Sequence, residues 1–149
     1  MKYKLKELNF DNLGCTTFTT NLGKVLNLNE SLEFQTPKVQ IIEIDENYIT
    51  LKLLPSEACK ILFTKINEFE NKIKEKFDKE VTSLFKGDVF KVKIKNNNFK
   101  IYLNGELFNL FHLKAGTIVI CLVSISKLWI NTYDIINYNL KVNEIVIKS

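Results

Sequence analysis

Lys91, Lys93 and Lys95 alternate with Phe90, Val92 and Ile94 in the run DVFKVKIK. A strand sends successive side chains to opposite faces, so this spacing gives one apolar face and one face of ammonium groups. In the next run Lys100 and Tyr102 oppose Phe99, Ile101 and Leu103 in the same way. Lysines beside an exposed ring offer attraction for phosphate and a platform for a base, which suits a single nucleic-acid strand of any sequence. An antiparallel sheet also commonly turns one polar face to water, and a plain solvated lysine face is the competing reading. Trp129, two residues after Lys127, is a second stacking candidate, with core packing as its alternative. Phe34, Tyr48, Tyr133 and Tyr138 complete the aromatic candidates.

Other chemistries find little support. The single histidine, His112, has no cysteine at ligand spacing, so no metal site is expected. The five glycines are scattered and form no phosphate-cradling loop. Cys15, Cys59 and Cys121 are odd in number and far apart, which fits neither a disulfide framework nor a metal knuckle and suits a reducing compartment. Adjacent carboxylates such as Asp45 and Glu46 fall in a turn, where solvation is their ordinary fate. The chain reads as a non-enzyme without a cofactor.

Charge points the same way. All 21 basic residues are lysine, against 17 acidic ones, for a net charge of +4. Lysine is a mobile point charge suited to phosphate, whereas the missing arginine is the residue whose planar fork reads guanine edges. Attraction to a backbone is therefore favoured over sequence readout. Residues 1–83 hold 12 lysines and 13 acidic residues, and residues 84–149 hold 9 lysines and 4 acidic ones, so the basic surface belongs to the second half. The Lys, Asn and Ile excess also matches the coding bias of an AT-rich genome. No window is apolar enough to span a membrane, and the first residues lack the apolar core of a secretory signal; a cytoplasmic protein is expected.

These residues need elements to hold them. The region 86–111 reads as three short antiparallel strands, with turns at Asn96–Asn98 and at Asn104-Gly105, a strong hairpin signal. Upstream, KVLNLN, SLEFQT, VQIIEI and YITLKLL are strand-like, with Asp45–Asn47 as a turn. One helix starts after Pro55, with Ser56 as N-cap and Ala58, Ile61, Leu62, Ile66, Phe69, Ile73, Phe77 and Val81 as its apolar stripe. Glu70–Lys74 and Glu75–Lys79 are spaced as helical ion pairs. The stripe suits packing on the sheet, with a partner-binding helix as the alternative. TIVICLVSISKLWI, a loop at Asn131–Asp134, and YNLKVNEIVI close the chain. Residues 1–21 have weak periodicity and read as a loosely ordered arm or an irregular first strand. The expected fold is mainly β: a five- to six-stranded OB-type barrel with one long helix inserted between strands, and 1–149 as a single nucleic-acid-binding domain. A barrel also removes the edges that short strands would expose.

The segment LEFQTPKVQI, residues 32–41, resembles the strand–QTP–strand opening of OB-fold single-stranded DNA-binding proteins of phages and large DNA viruses. The order DVFKVKIK, KAGTIVICLVSISKLWI, a loop, and YNLKVNEIVI is similar to the same family, over about residues 22–147. Length and composition also look like those of proteins of yeast cytoplasmic linear plasmids. The resemblance implies a replication protein that coats single-stranded DNA without sequence preference. Replicative DNA polymerase and further copies of the chain are its implied partners. It places Gln35, Thr36, Pro37 and Lys38 near the binding rim, Lys91 and Lys93 on the sheet, and Lys127 and Trp129 beyond the long apolar strand. With Phe34, Lys95, Lys100, Tyr102, Tyr138 and Lys141 these make the expected contact set, Thr36 and Pro37 only flanking it. Two departures stand out. The sequence ends KVNEIVIKS without an acidic run, and Tyr133-Asp134-Ile135 replaces the glycine usual after the tryptophan. An RNA-binding OB module and a structural or assembly protein are the rival readings.

Overall fold

The computed structural model describes residues 2–4, 7–10, 13–21, 23–94, 99–108 and 113–148. Its strands are β1 (Lys2–Tyr3), β2 (Cys15–Thr20), β3 (Gly23–Gln35), β4 (Val39–Ile44), β5 (Tyr48–Leu53), β6 (Val89–Lys93), β7 (Lys100–Leu103), β8 (Glu106–Phe108), β9 (Ile118–Ile130), β10 (Ile136–Tyr138) and β11 (Leu140–Lys148). The helix α1 (Glu57–Phe77) lies between β5 and β6. Strand β9 pairs with β4, β4 with β5, β5 with β6, β6 with β11, and β11 returns to β9, so the sheet closes into an OB-type ring. Around this ring, β3 continues along β9, β2 folds onto β3, and β10 takes the other edge of β9.

Alternation explains which residues fill the barrel. Phe90, Val92, Ile49, Leu51, Val119, Cys121 and Val123 are inside, all at 1% exposure or less. Two strands change parity. In β9 the inward set runs Val119, Cys121, Val123, Ile125 and then resumes at Leu128 and Ile130, so Lys127 and Trp129 turn outward. The shift lies opposite the bulged stretch of β3 between Asn27 and Leu32. In β11 a bulge between Val142 and Glu144 does the same, which accounts for the mixed alternation of its sequence.

The Asn104-Gly105 hairpin forms as expected, with φ of 53° and 80°, the positive pair of a type I′ turn. The expected three-strand meander does not. β6 and β7 do not pair with each other; both lie parallel to β11 along one of its edges. The nine residues of β11 are long enough to cover both short strands. The expected turn at Asn96–Asn98 and His112 lie outside the described residues.

Ser56 caps α1, its Oγ accepting from the Cys59 amide at 3.1 Å. The buried stripe is Cys59, Leu62, Ile66, Phe69 and Ile73, with Ala58 exposed and Val81 past the helix end. The stripe packs on the barrel, as the periodicity suggested. The expected helical ion pairs are replaced. Lys74 reaches Glu80 at 3.2 Å, and Lys79, beyond the C-cap at Asp78, reaches Asp134 at 2.7 Å. Among the described residues of the N-terminal segment, Leu8 and Phe10 are buried, Phe10 meets Phe69 edge-on at 5.5 Å, and the Leu8 carbonyl accepts from Lys65.

Burial pushes the Cys121 thiol up to about 12, and Cys59 is buried as well. Cys15 is half-buried, its thiol raised by burial against a lowering by Lys76. At neutral pH a thiol reagent is expected to label Cys15 first and Cys121 only on unfolding, because thiolate formation and access both control reaction. Labelling of Cys121 in the native protein as fast as in denaturant would contradict this packing.

Candidate nucleic-acid interface

The outer surface of the ring is ordered by strand register. One row crosses it from Glu33 in β3 to Ser124 in β9, Lys141 in β11, Lys93 in β6 and Tyr48 in β5. Two lysines and a tyrosine are thus brought side by side from three strands remote in sequence. Lys91, one pleat along from Lys93, holds its Nζ 5.8 Å from the centre of the Tyr48 ring, within reach of a cation–π contact.

Tyr48, Lys86, Lys91, Trp129 and Asn137 line a groove of about 380 Å³, together with Ser83 and the buried Phe90 and Tyr138. Trp129 is 38% exposed, so its indole is neither sealed in the core nor free of support. Among the described residues none of Lys86, Lys91, Lys93, Lys127 and Lys141 forms an ion pair. Asp45 lies near enough for the Lys91 charge to act on it. Its carboxyl is held below the usual range by amides of Asn47 and Tyr48, each donating at 2.7 Å, and less strongly by Lys91.

A second cavity, of about 510 Å³, lies between residues 7–10 and α1. Glu7, Glu68 and Glu75 line it beside Lys65 and Lys72, and this mixed charge suits a polyanion poorly. Among the described residues no group of three His, Cys, Asp or Glu could hold a metal, and no helix is long and apolar enough to cross a membrane.

The groove gathers only part of the expected contact set. Lys91 and Trp129 line it; Lys93 and Lys141 continue it along the row; Lys127 follows two residues before Trp129 on the same outward face. Phe34 is a correction: at 1% exposure it fills the barrel, since it alternates with the outward Glu33 and Gln35. Tyr138 is a second, 7% exposed, with its hydroxyl donating to the Glu70 carboxylate, so its face is not free for a base. Burial and the Glu70 charge and bond hold its phenol well above the ordinary value. Gln35, Lys38, Lys100 and Tyr102 stand outside the groove. Gln35 pairs with Leu122, Lys100 faces Glu144, and Tyr102 sits between Val146 and Leu107. Lys38 is exposed beside the start of α1, where its carbonyl accepts from Cys59. Lys95 lies outside the described residues.

Sequence reasoning missed Lys86 and left Tyr48 out of the contact set. The available signal for Tyr48 was alternation, which already set it with Thr50 and Lys52 opposite Ile49 and Leu51. The loop after Trp129 is held by local side chains. Asp134 takes the positive φ, 64°, that a glycine would take more easily, at a cost of roughly 1 kcal/mol. Lys79 grips its carboxylate, and Asn131 Oδ1 accepts from the amides of Tyr133 and Ile135.

No protein-family model matches this chain, and no curated protein matches it. Its fold is similar to that of gp2.5, a single-stranded DNA binding protein encoded by bacteriophage T7, with a TM-score of 0.59 and 11% identity over 79% of this chain and 86% of that one. At that identity the likeness is one of fold.

Proposed function

We propose that this chain binds single-stranded DNA without sequence preference, as a replication protein built on one OB-type unit. The observation that carries the reading is the groove in which Tyr48 and Trp129 stand with Lys86 and Lys91, neither of which forms an ion pair among the described residues. Bases stack on the two rings, and the ammonium groups of Lys86, Lys91, Lys93, Lys127 and Lys141 follow the phosphates. Stacking accepts any base because each has a π-face, and the absence of arginine removes the residue best fitted to read base edges. The fold it shares with a phage single-stranded DNA binding protein supports the same reading. A replicative polymerase and further copies of the chain remain proposed partners.

Five lysines on phosphates give a slope of log affinity against log salt of roughly −3.5. Replacing Lys91 and Lys93 with alanine together should bring it to about −2. Fluorescence titrations of oligo(dT) at several salt concentrations measure this, and an unchanged slope would remove these lysines from the path. Competition between oligo(dT) and oligo(U) of equal length tests the preference for DNA, and tighter binding of oligo(U) would favour the RNA-binding alternative.

A further inference from the structure

We infer that the binding track does not end at Trp129 but continues onto the β2–β3 hairpin, where Phe18 forms a further seat for an unstacked nucleobase. The inference rests on the single-strand reading above. Register places Phe18 opposite Val25, Val25 opposite Trp129, and Trp129 opposite Asn137 at the groove wall. Partners in register point to the same face of a sheet, so the phenyl and indole rings share one outer surface, with the half-buried Val25 as the floor between them. Two strand spacings separate their backbones, about 9.5 Å, so each ring is a platform of its own.

Phe18 has no evident structural duty. It is 48% exposed in a strand whose other residues, Cys15 apart, are exposed threonines. An exposed large ring in line with a second one is the arrangement that stacking on successive bases uses. The charge around it suits a polyanion. The neighbouring row is Thr16, Asn27 and Lys127, so neither row carries a carboxylate, and Lys127 forms no ion pair among the described residues. The occupant is the same oligonucleotide that enters at Tyr48 and Lys91, carried one platform further along the surface.

The test is a length series of oligo(dT), titrated against the full chain and its Phe18→Ala and Phe18→Tyr variants, with Trp129 emission as the signal. Phe18→Ala should weaken binding of the longer oligonucleotides by about 5- to 150-fold, the range for losing one base stack. It should leave the shortest bound ones unchanged, and affinity should stop rising at a shorter length. Phe18→Tyr should behave as the parent chain. If Phe18→Ala matches the parent at every length while Trp129 is still quenched, the extension is wrong and the groove stands. Equal weakening at every length would also overturn it, pointing to a general structural effect. If Trp129 of the parent chain responds to no oligonucleotide, the single-strand reading and the extension fall together.

Discussion

Replacing Glu70 with alanine is expected to lower stability by about 3 kcal/mol, which for a chain of this size is a fall in Tm of roughly 6–12 °C. Glu70 lies on the buried side of α1 at 8% exposure. Its carboxylate accepts from the Leu84 amide at 2.8 Å and from the Tyr138 hydroxyl. The lysine one turn on, Lys74, goes to Glu80 instead. A buried carboxylate without a cation is tolerable only while its donors are in place, and among the described residues those donors have no other acceptor. Truncation strands both and opens space beside Phe69, which packs on the Tyr138 ring at 5.3 Å. Both donors meet the same oxygen, Oε2, so Glu70→Gln can keep both bonds through its amide oxygen and lose only the charge behind them; it should lose about half as much.

The consequence reaches the site, because Leu84 and Tyr138 both border the groove. The carboxylate fixes one groove wall to the helix. The Tyr138 phenol, raised above its unfolded value, contributes stability that is complete below pH ~10 and is lost as pH climbs toward its folded value. Thermal unfolding followed by circular dichroism from pH 7 to 11 should show this loss, and Tyr138→Phe should reduce it. A Glu70→Ala chain as stable as the parent would mean that the carboxylate contributes nothing net.

The second large effect falls on binding. Trp129→Ala and Tyr48→Ala should each weaken oligo(dT) binding by about 5- to 150-fold, with Trp129→Phe retaining most of the affinity. Both rings border one groove, so the double variant should depart from additivity, since neighbouring contacts couple. Stability should change little for Trp129→Ala, because the indole is 38% exposed. Tyr48 emission is not needed for this measurement; anisotropy of a labelled oligonucleotide reads all the variants. A loss confined to the lysine variants would leave a charged surface without stacking.

Much of the barrel was legible because alternation is a local signal. Phe90, Val92 and Ile94 were set inward and Lys91 and Lys93 outward by spacing alone, and burial agrees. Ser56 and the stripe of α1 were legible for the same reason. What could not be read was pairing. Nothing in the sequence of β6 and β7 says that β11 will lie along both, because that choice depends on a strand more than 40 residues away. The bulges in β3 and β11 cannot be located by counting, and the parity change in β9 that turns Trp129 out depends on its partner. Phe34 and Tyr138 read as exposed in the sequence because an aromatic near a lysine looks alike whether its strand faces in or out. Phe18 was overlooked because the first residues carry little periodicity, although CTTFTT is rich in residues that favour strands.

Trp129 is the only tryptophan, so intrinsic emission reports one residue. The most direct measurement is titration of that emission with oligo(dT) and with duplex DNA of equal length, at two salt concentrations. Saturable quenching by oligo(dT), weaker at the higher salt and absent with duplex, is the predicted result. Emission that ignores oligo(dT), or responds to duplex equally, would contradict an indole that waits on the surface for a base.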